Sequence, residues 1–180
     1  MAALYDPGNN SYRVLANRSC SMMQEKKSFV VRGGIWVLAQ VPVMLAAFTL
    51  PLWFGAGHFA PRHPLAIVGV AVTLFGVSLA VWGLTSLGDA LTPFPKPLYD
   101  ASLHRQGAYR FMRHLIYAGL ILASLGWALW WLSVIGLLYV VAMAIFFDRK
   151  AVYEEIWLRK KYRSYADYAR RVKKFIPGVY

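Results

Sequence analysis

Apolar residues in this chain run in long blocks instead of alternating with polar ones. The first block covers 33–54 and the second 64–87. Each exceeds the roughly 20 residues that a helix rising 1.5 Å per residue needs to cross about 30 Å of hydrocarbon. A third stretch, 115–147, holds 33 residues without one charge. That is too long for one ordinary span and too short for two full ones plus a loop. It predicts a tight hairpin of two helices turning near 130–133, where Trp130 and Trp131 suit an interfacial turn. Pro42 and Pro51 fall inside the first block and are expected to kink that helix or mark its end. No internal repeat or low-complexity tract stands out, and the polar first 32 residues, with five Lys/Arg, do not read as a signal peptide.

Composition supports the membrane reading. The chain has 180 residues, 58% apolar and 16% charged, against roughly 45–50% and about 25% for soluble domains. This excludes a disordered chain and argues for one domain. The net charge of +12 need not indicate nucleic acid. With four crossings, 19 of the 20 Lys+Arg fall on one face and only Arg62 on the other, a strong positive-inside signal. The expected architecture is an all-α integral membrane protein with four membrane helices, two full spans and a tight hairpin, and a cytoplasmic amphipathic C-terminal helix. Segment 1–32, loop 88–114 and tail 148–180 are then cytoplasmic. Cys20 stands alone, which excludes an intrachain disulfide framework and a cysteine zinc site. His58 and His63 fall across the bilayer from His104 and His114, which argues against any metal site. Gly55-Ala56-Gly57 has no strand before it and reads as a turn.

All eight acidic residues lie on the basic side, so a polar active site must be assembled there from the second loop and the tail. The loop opens Thr92-Pro93-Phe94-Pro95-Lys96-Pro97, which favours an extended segment and, taken alone, reads as a stiff connector. Gly107 marks a turn before a helix. Tyr109, Arg113, His114 and Tyr117 would then share roughly one helical face. The same residues also fit a basic flank and an aromatic belt; their clustering at one membrane mouth favours a site. In the tail, Lys150 and Glu154 are four apart and share a face. Tyr162, Tyr165, Tyr168, Val172 and Phe175 alternate with basic residues as an interfacial amphipathic helix does, ended by Ile176-Pro177-Gly178.

The order Thr-Pro-Phe-Pro-Lys-Pro, Gly-x-Tyr-Arg-x-x-Arg-His-x-x-Tyr, apolar hairpin, Glu-Glu and Tyr-x-x-Tyr…Val…Ile-Pro resembles the isoprenylcysteine carboxyl methyltransferase and phospholipid methyltransferase family. The resemblance covers about 87–177. It implies a membrane-embedded S-adenosylmethionine-dependent methyltransferase whose cofactor pocket faces the cytosol under the C-terminal helix. Carried over by position, cofactor contacts fall on Ala101, Ser102, Leu103 and His104, on Tyr109, on His114, Leu115, Ile116 and Tyr117, and on Glu154. The family's substrate-side basic residue falls on Lys150, where better-studied members carry arginine, with Arg149 adjacent. Leu115 stands where the family usually has proline, which implies a looser helix start or an altered pocket.

The chemistry of S-adenosylmethionine fits these residues. Its carboxylate needs donors, which Arg113, His114 or the first N–H groups of a helix supply. Its ammonium needs an acceptor, Glu154 or Glu155. Its adenine needs flat walls, from Tyr109, Tyr117 or Phe175-Ile176-Pro177. In-line methyl transfer uses no metal and no protein nucleophile. The expected acceptor is a lipid or lipidated small molecule entering laterally, in contact with membrane lipids, and a bacterial inner membrane is the expected location. Two other readings remain at this level: a non-catalytic scaffold or lipid-binding protein of the same fold, and an NADPH-dependent membrane reductase. The acceptor and the oligomeric state are not legible.

Overall fold

The computed structural model describes residues 33–56, 63–88, 92, 94–96 and 103–180. The N-terminal segment, His58, Arg62, Ala101 and Ser102 lie outside the described residues. Among the described residues five α-helices follow in order: α1 (Gly34–Phe54), α2 (Pro64–Leu87), α3 (Leu115–Trp130), α4 (Val134–Lys161) and α5 (Tyr165–Arg171), with a 3-10 turn at Gly107–Arg110 before α3. Among the described residues the extended backbone pairs only at an isolated bridge between Met112 and Lys173.

The first two helices begin and end where the apolar blocks do. Pro64 sits at the first position of α2, where its missing N–H costs nothing, and His63 caps the helix by accepting from the Leu65 N–H. The prolines of α1 do not end it: Pro42 and Pro51 both lie inside a helix that runs to Phe54. Both α1 and α2 are long and apolar enough to cross a membrane.

Their packing inverts the pattern of a water-soluble core. The buried positions of α2 are small, Ala66, Gly69, Gly76, Ala80 and Gly83. Its large side chains, among them Ile67, Leu74, Phe75 and Val81, are exposed. Lipid solvates large apolar side chains as well as a protein interior does, so helices associate in membranes by close backbone approach at small residues. The glycines of α2 recur every seven residues: Gly69 and Gly76 face Gly119, Ala123 and Gly126 of α3, and Gly83 faces Ile116 at its start. A Cβ on Gly76 would lie 2.3 Å from the Ala123 nitrogen, and one on Gly126 would lie 2.3 Å from the Thr73 nitrogen. Thr73 adds a cross-helix hydrogen bond, its hydroxyl donating to the Ala123 carbonyl at 3.4 Å as well as to Gly69 in its own helix.

The hairpin turns where the sequence places it. The Leu132 N–H donates to Leu129 and the Ser133 N–H to Ala128, with Leu132 in the left-handed region at φ 51°. The Ser133 hydroxyl then caps α4 by accepting from Gly136. The second arm does not stop at residue 147. α4 continues unbroken past Asp148 to Lys161, so the tail begins as its extension rather than as a separate amphipathic helix. Nothing between 147 and 161 breaks a helix, since the segment has no proline or glycine. Only the seven residues of α5 remain as a distinct C-terminal helix, and it ends at Arg171, before Ile176-Pro177-Gly178.

The Gly76 contact makes a direct prediction. Replacing Gly76 with valine forces α2 and α3 apart and should destabilise the detergent-solubilised protein by roughly 1–3 kcal/mol. Thermal unfolding followed by tryptophan fluorescence checks this, with exposed Ser78→Ala as a control that stays near wild type.

Candidate active site

The segment before α3 is not one helix from residue 109 onward. The 3-10 turn ends at Arg110, and the backbone then extends through Met112. The C-terminal segment catches it there: the N–H groups of Arg113 and His114 donate to the carbonyls of Lys173 and Lys174 at 2.9 and 3.0 Å. Gly107, at φ 59°, makes the turn expected of it. α3 therefore starts without a proline. Leu115 is 1% exposed and packs with Ala108, Met112 and Ala118. The start of the helix is held by the tail and by this apolar contact, so the looser start that Leu115 implied is not found.

Two adjacent carboxylates of α4 face this segment. Glu154 and Glu155 lie past the apolar stretch, on the extension of the helix. His114 lies between them, its Nε2 3.1 Å from Glu155 Oε1 and its Nδ1 3.6 Å from Glu154 Oε2. Arg113 adds an ion pair to Glu155 Oε1 at 3.1 Å, and Arg159 reaches Glu155 Oε2 at 3.8 Å. The Tyr117 hydroxyl donates to Glu154. Tyr117 also stacks between the His114 ring, at 5.5 Å, and Phe147, at 4.7 Å.

The two carboxylates differ in environment. Burial pushes the Glu154 carboxyl above the usual range, although His114, Lys150 and Tyr117 act against it. Burial also works to raise Glu155, but the His114 hydrogen bond and the charges of His114 and Arg113 overcome it and hold Glu155 low. Glu155 is thus a satisfied anchor. Glu154 lines a cavity of about 290 Å³, near the lower end of small-ligand sites.

The cavity gathers most of the candidates named from the sequence. Leu103, His104, Tyr109, Arg113, His114, Ile116, Tyr117, Lys150 and Glu154 all line it. Leu115 and Glu155 do not, and they support it from behind. Arg149 is exposed and away from the cavity. Successive helix residues point about 100° apart, so an α4 that turns Lys150 inward turns Arg149 out. Phe175 also stays out of the cavity and packs on His114 at 5.9 Å, while Ile176 is exposed. The flat wall expected from 175–177 is absent.

Other residues take that place. Phe94 and Pro95 line the cavity, so the proline-rich run is more than a connector. Tyr162, Tyr165 and Tyr168 line it too, and Tyr165 and Tyr168 are buried rather than interfacial. Tyr168 donates to the Tyr109 carbonyl at 2.6 Å, and the Tyr109 hydroxyl donates to the Gly83 carbonyl at 3.3 Å. Arg113 donates to the Ala169 carbonyl at 2.9 Å. These bonds close α5 over the site. Burial raises the phenols of Tyr109 and Tyr165 well above their ordinary value and that of Tyr168 to about 12, so all three act as neutral groups. Gln40, in the first third of α1, reaches the far side, where Lys150 Nζ donates to its Oε1 at 2.5 Å. The lysine also lies 5.1 Å from the Tyr117 ring centroid. A single amide inside an apolar block was the available signal for Gln40.

Among the described residues, three buried polar atoms on this wall, His104 Nδ1, Arg113 Nε and the Tyr165 hydroxyl, have no protein partner. Native interiors rarely leave such groups unsatisfied, and a ligand with polar groups of its own would satisfy them.

The sequence profile of the family described as phospholipid methyltransferase matches residues 65–165. Two rice proteins, from Oryza sativa subsp. indica and subsp. japonica, both named "Probable protein-S-isoprenylcysteine O-methyltransferase", are each 25% identical over 148 residues, covering 80% of this chain and 76% of theirs. The fold is similar to that of the solved eukaryotic intramembrane Ras methyltransferase, isoprenylcysteine carboxyl methyltransferase, with a TM-score of 0.62 and 23% identity over 81% of this chain. The chain spans about half, 53%, of that longer protein. With more than half of its length inside the family profile and two helices able to cross a bilayer, the chain is an integral membrane member of the phospholipid methyltransferase family.

Proposed function

We propose that the cavity binds S-adenosylmethionine and that the protein transfers its methyl group to a lipid-like acceptor held at the cytoplasmic edge of the membrane. The observation that carries this reading is the meeting of Glu154, His114, Tyr117 and Tyr109 at one cavity, beneath α5. S-adenosylmethionine supplies an electrophilic methyl group on a sulfonium centre. Glu154 is the acceptor for the donor's ammonium, and among the described residues it is the one carboxylate lining the cavity. His104 Nδ1 and the Tyr165 hydroxyl are free to engage polar groups of the ligand, with Arg113 close by as a cation for its carboxylate. Phe94, Tyr109 and Tyr162 are flat walls against which an adenine ring packs.

Lys150 and Gln40 lie at the α1 side of the cavity, and we assign them to the acceptor. Lys150 is 2% exposed and, among the described residues, donates to a neutral amide, that of Gln40. A buried ammonium without a bonded carboxylate suits an acceptor with a negative or electron-rich headgroup. Lysine acts as a point charge without the planar fork of arginine, so it imposes less geometry on that group. The apolar tail of the acceptor stays among lipid-exposed helices while its head reaches the site. Orientation and exclusion of water by the α5 cover are the chain's contributions to rate. The four-crossing topology, with both termini cytoplasmic in a bacterial inner membrane, fits the same reading through the basic bias.

Calorimetry on the purified protein tests the donor site. Wild type should bind S-adenosylmethionine, and Glu154→Gln should weaken it at least about tenfold by leaving the ammonium without a counter-charge. Absence of binding to wild type would sink the proposal. Affinity should also depend on pH. The ionised Glu154 is the binding form, and its carboxyl titrates above the usual range. Affinity should therefore fall on acidification through that raised value, and the Glu154→Gln variant should lose this limb. Lys150→Met separates the two halves of the site: donor affinity should stay within a few-fold while turnover on a membrane lipid extract, followed with labelled donor, drops by about 10² or more.

A further inference from the structure

Tyr168 lines a second recess as well as the cavity. This recess has a volume of about 300 Å³ and is bordered by Arg105, Arg110 and Arg171, with Ser164 and Asp167 between them. The three guanidinium groups come from three segments: the loop before the 3-10 turn, the turn itself and the last residue of α5. Arg105 is fixed there, donating to the Ser164 hydroxyl at 2.8 Å. Asp167 is the one acidic side chain on the border, and Arg170 engages it. Arg110 and Arg171 have no acidic partner among the described residues. Three like charges gathered around one hollow repel each other, and an anion between them relieves that repulsion. Guanidinium forks match the tetrahedral oxygens of a phosphate.

The position of the recess selects the source of the phosphate. The Arg110 guanidinium lies 5.0 Å over the Phe111 ring, and Phe111 lies 5.8 Å from Trp82 near the end of α2. Phe111 is 47% exposed and Trp82 44%. Large exposed aromatics at the end of an apolar helix mark the headgroup level of a bilayer. We propose that this recess binds the phosphate group of an anionic membrane lipid, at a site distinct from the cavity. The inference rests on membrane residence alone and holds whatever the cavity binds.

The test is binding of fluorescent phosphatidylglycerol to the full-length protein in detergent, with phosphatidylcholine as the neutral comparison. Wild type should prefer phosphatidylglycerol. The double variant Arg110→Ala/Arg171→Ala should bind it about tenfold or more weakly, since each basic residue near anionic lipid contributes about 1 kcal/mol. The double variant Lys160→Ala/Arg163→Ala removes the same charge from exposed positions elsewhere and should stay within about twofold of wild type. Equal losses in the two double variants would reduce the effect to diffuse attraction and overturn the site. So would a wild type without lipid preference, or displacement of the lipid by millimolar inorganic phosphate, which would make the recess a site for soluble phosphate. Should the alanine pair unfold, Arg171→Gln alone, at an exposed position, gives the same discrimination with a smaller loss.

Discussion

Two neighbouring carboxylates buried at the foot of an apolar hairpin set the constraint on which the rest of this structure depends. Glu154 and Glu155 cannot enter a low-dielectric environment without partners. Glu155 is matched by Arg113, His114 and Arg159. Matching it draws the segment before α3 onto α4, and that segment is held from the other side by the carbonyls of Lys173 and Lys174. The tail is tied in turn by Lys174, which reaches Asp148 at 2.7 Å, and by the Tyr180 hydroxyl on the same carboxylate at 2.8 Å. The site is thus a knot of three segments around Glu155, and Glu154 is carried by it to the cavity wall. Removing Glu155 would expose uncompensated cations on both sides, so its role is to position the others rather than to meet a ligand.

This division of labour explains why both acids occur together. One carboxylate with every partner present is rigid and chemically quiet. Its neighbour, bonded by Tyr117 and close to His114, keeps a face open to the cavity. Burial raises Glu154 while its partners lower Glu155. Environments that push two adjacent acids apart are a recurring feature of functional sites.

Much of this was legible in the sequence because hydrophobic length and charge bias are strong signals. The block 64–87 became α2 without a shift in boundary, and the turn near 130–133 is where Leu132 reverses the chain. His114, Tyr117 and Glu154 were also legible, since polar residues beside an apolar hairpin have few places to go. What failed did so for physical reasons. Periodicity in 162–175 could not separate an interfacial face from a buried one, because an amphipathic pattern fits either; Tyr165 and Tyr168 proved buried. Arg149 and Lys150 were indistinguishable by charge, and only the rotation of α4 separates them. Gln40 is hard to read in the sequence because the window that finds a span averages over the lone amide inside it.

The glycine-lined seam between α2 and α3 and the polar knot are two different solutions to one problem. Within the hydrocarbon the chain cannot use large apolar side chains to choose between neighbours, since lipid serves equally well, so it uses close approach at Gly69, Gly76, Gly119 and Gly126. At the membrane edge, water competes for every polar group, and the chain uses ion pairs shielded by Tyr165, Phe147 and Leu115, each less than 2% exposed. The cavity forms where the two regimes meet. One wall is made by the ends of packed helices and the other by the polar cover of α5. A ligand with both an apolar tail and a charged head would have its two halves matched at such a junction, and the proposed acceptor rests on that match.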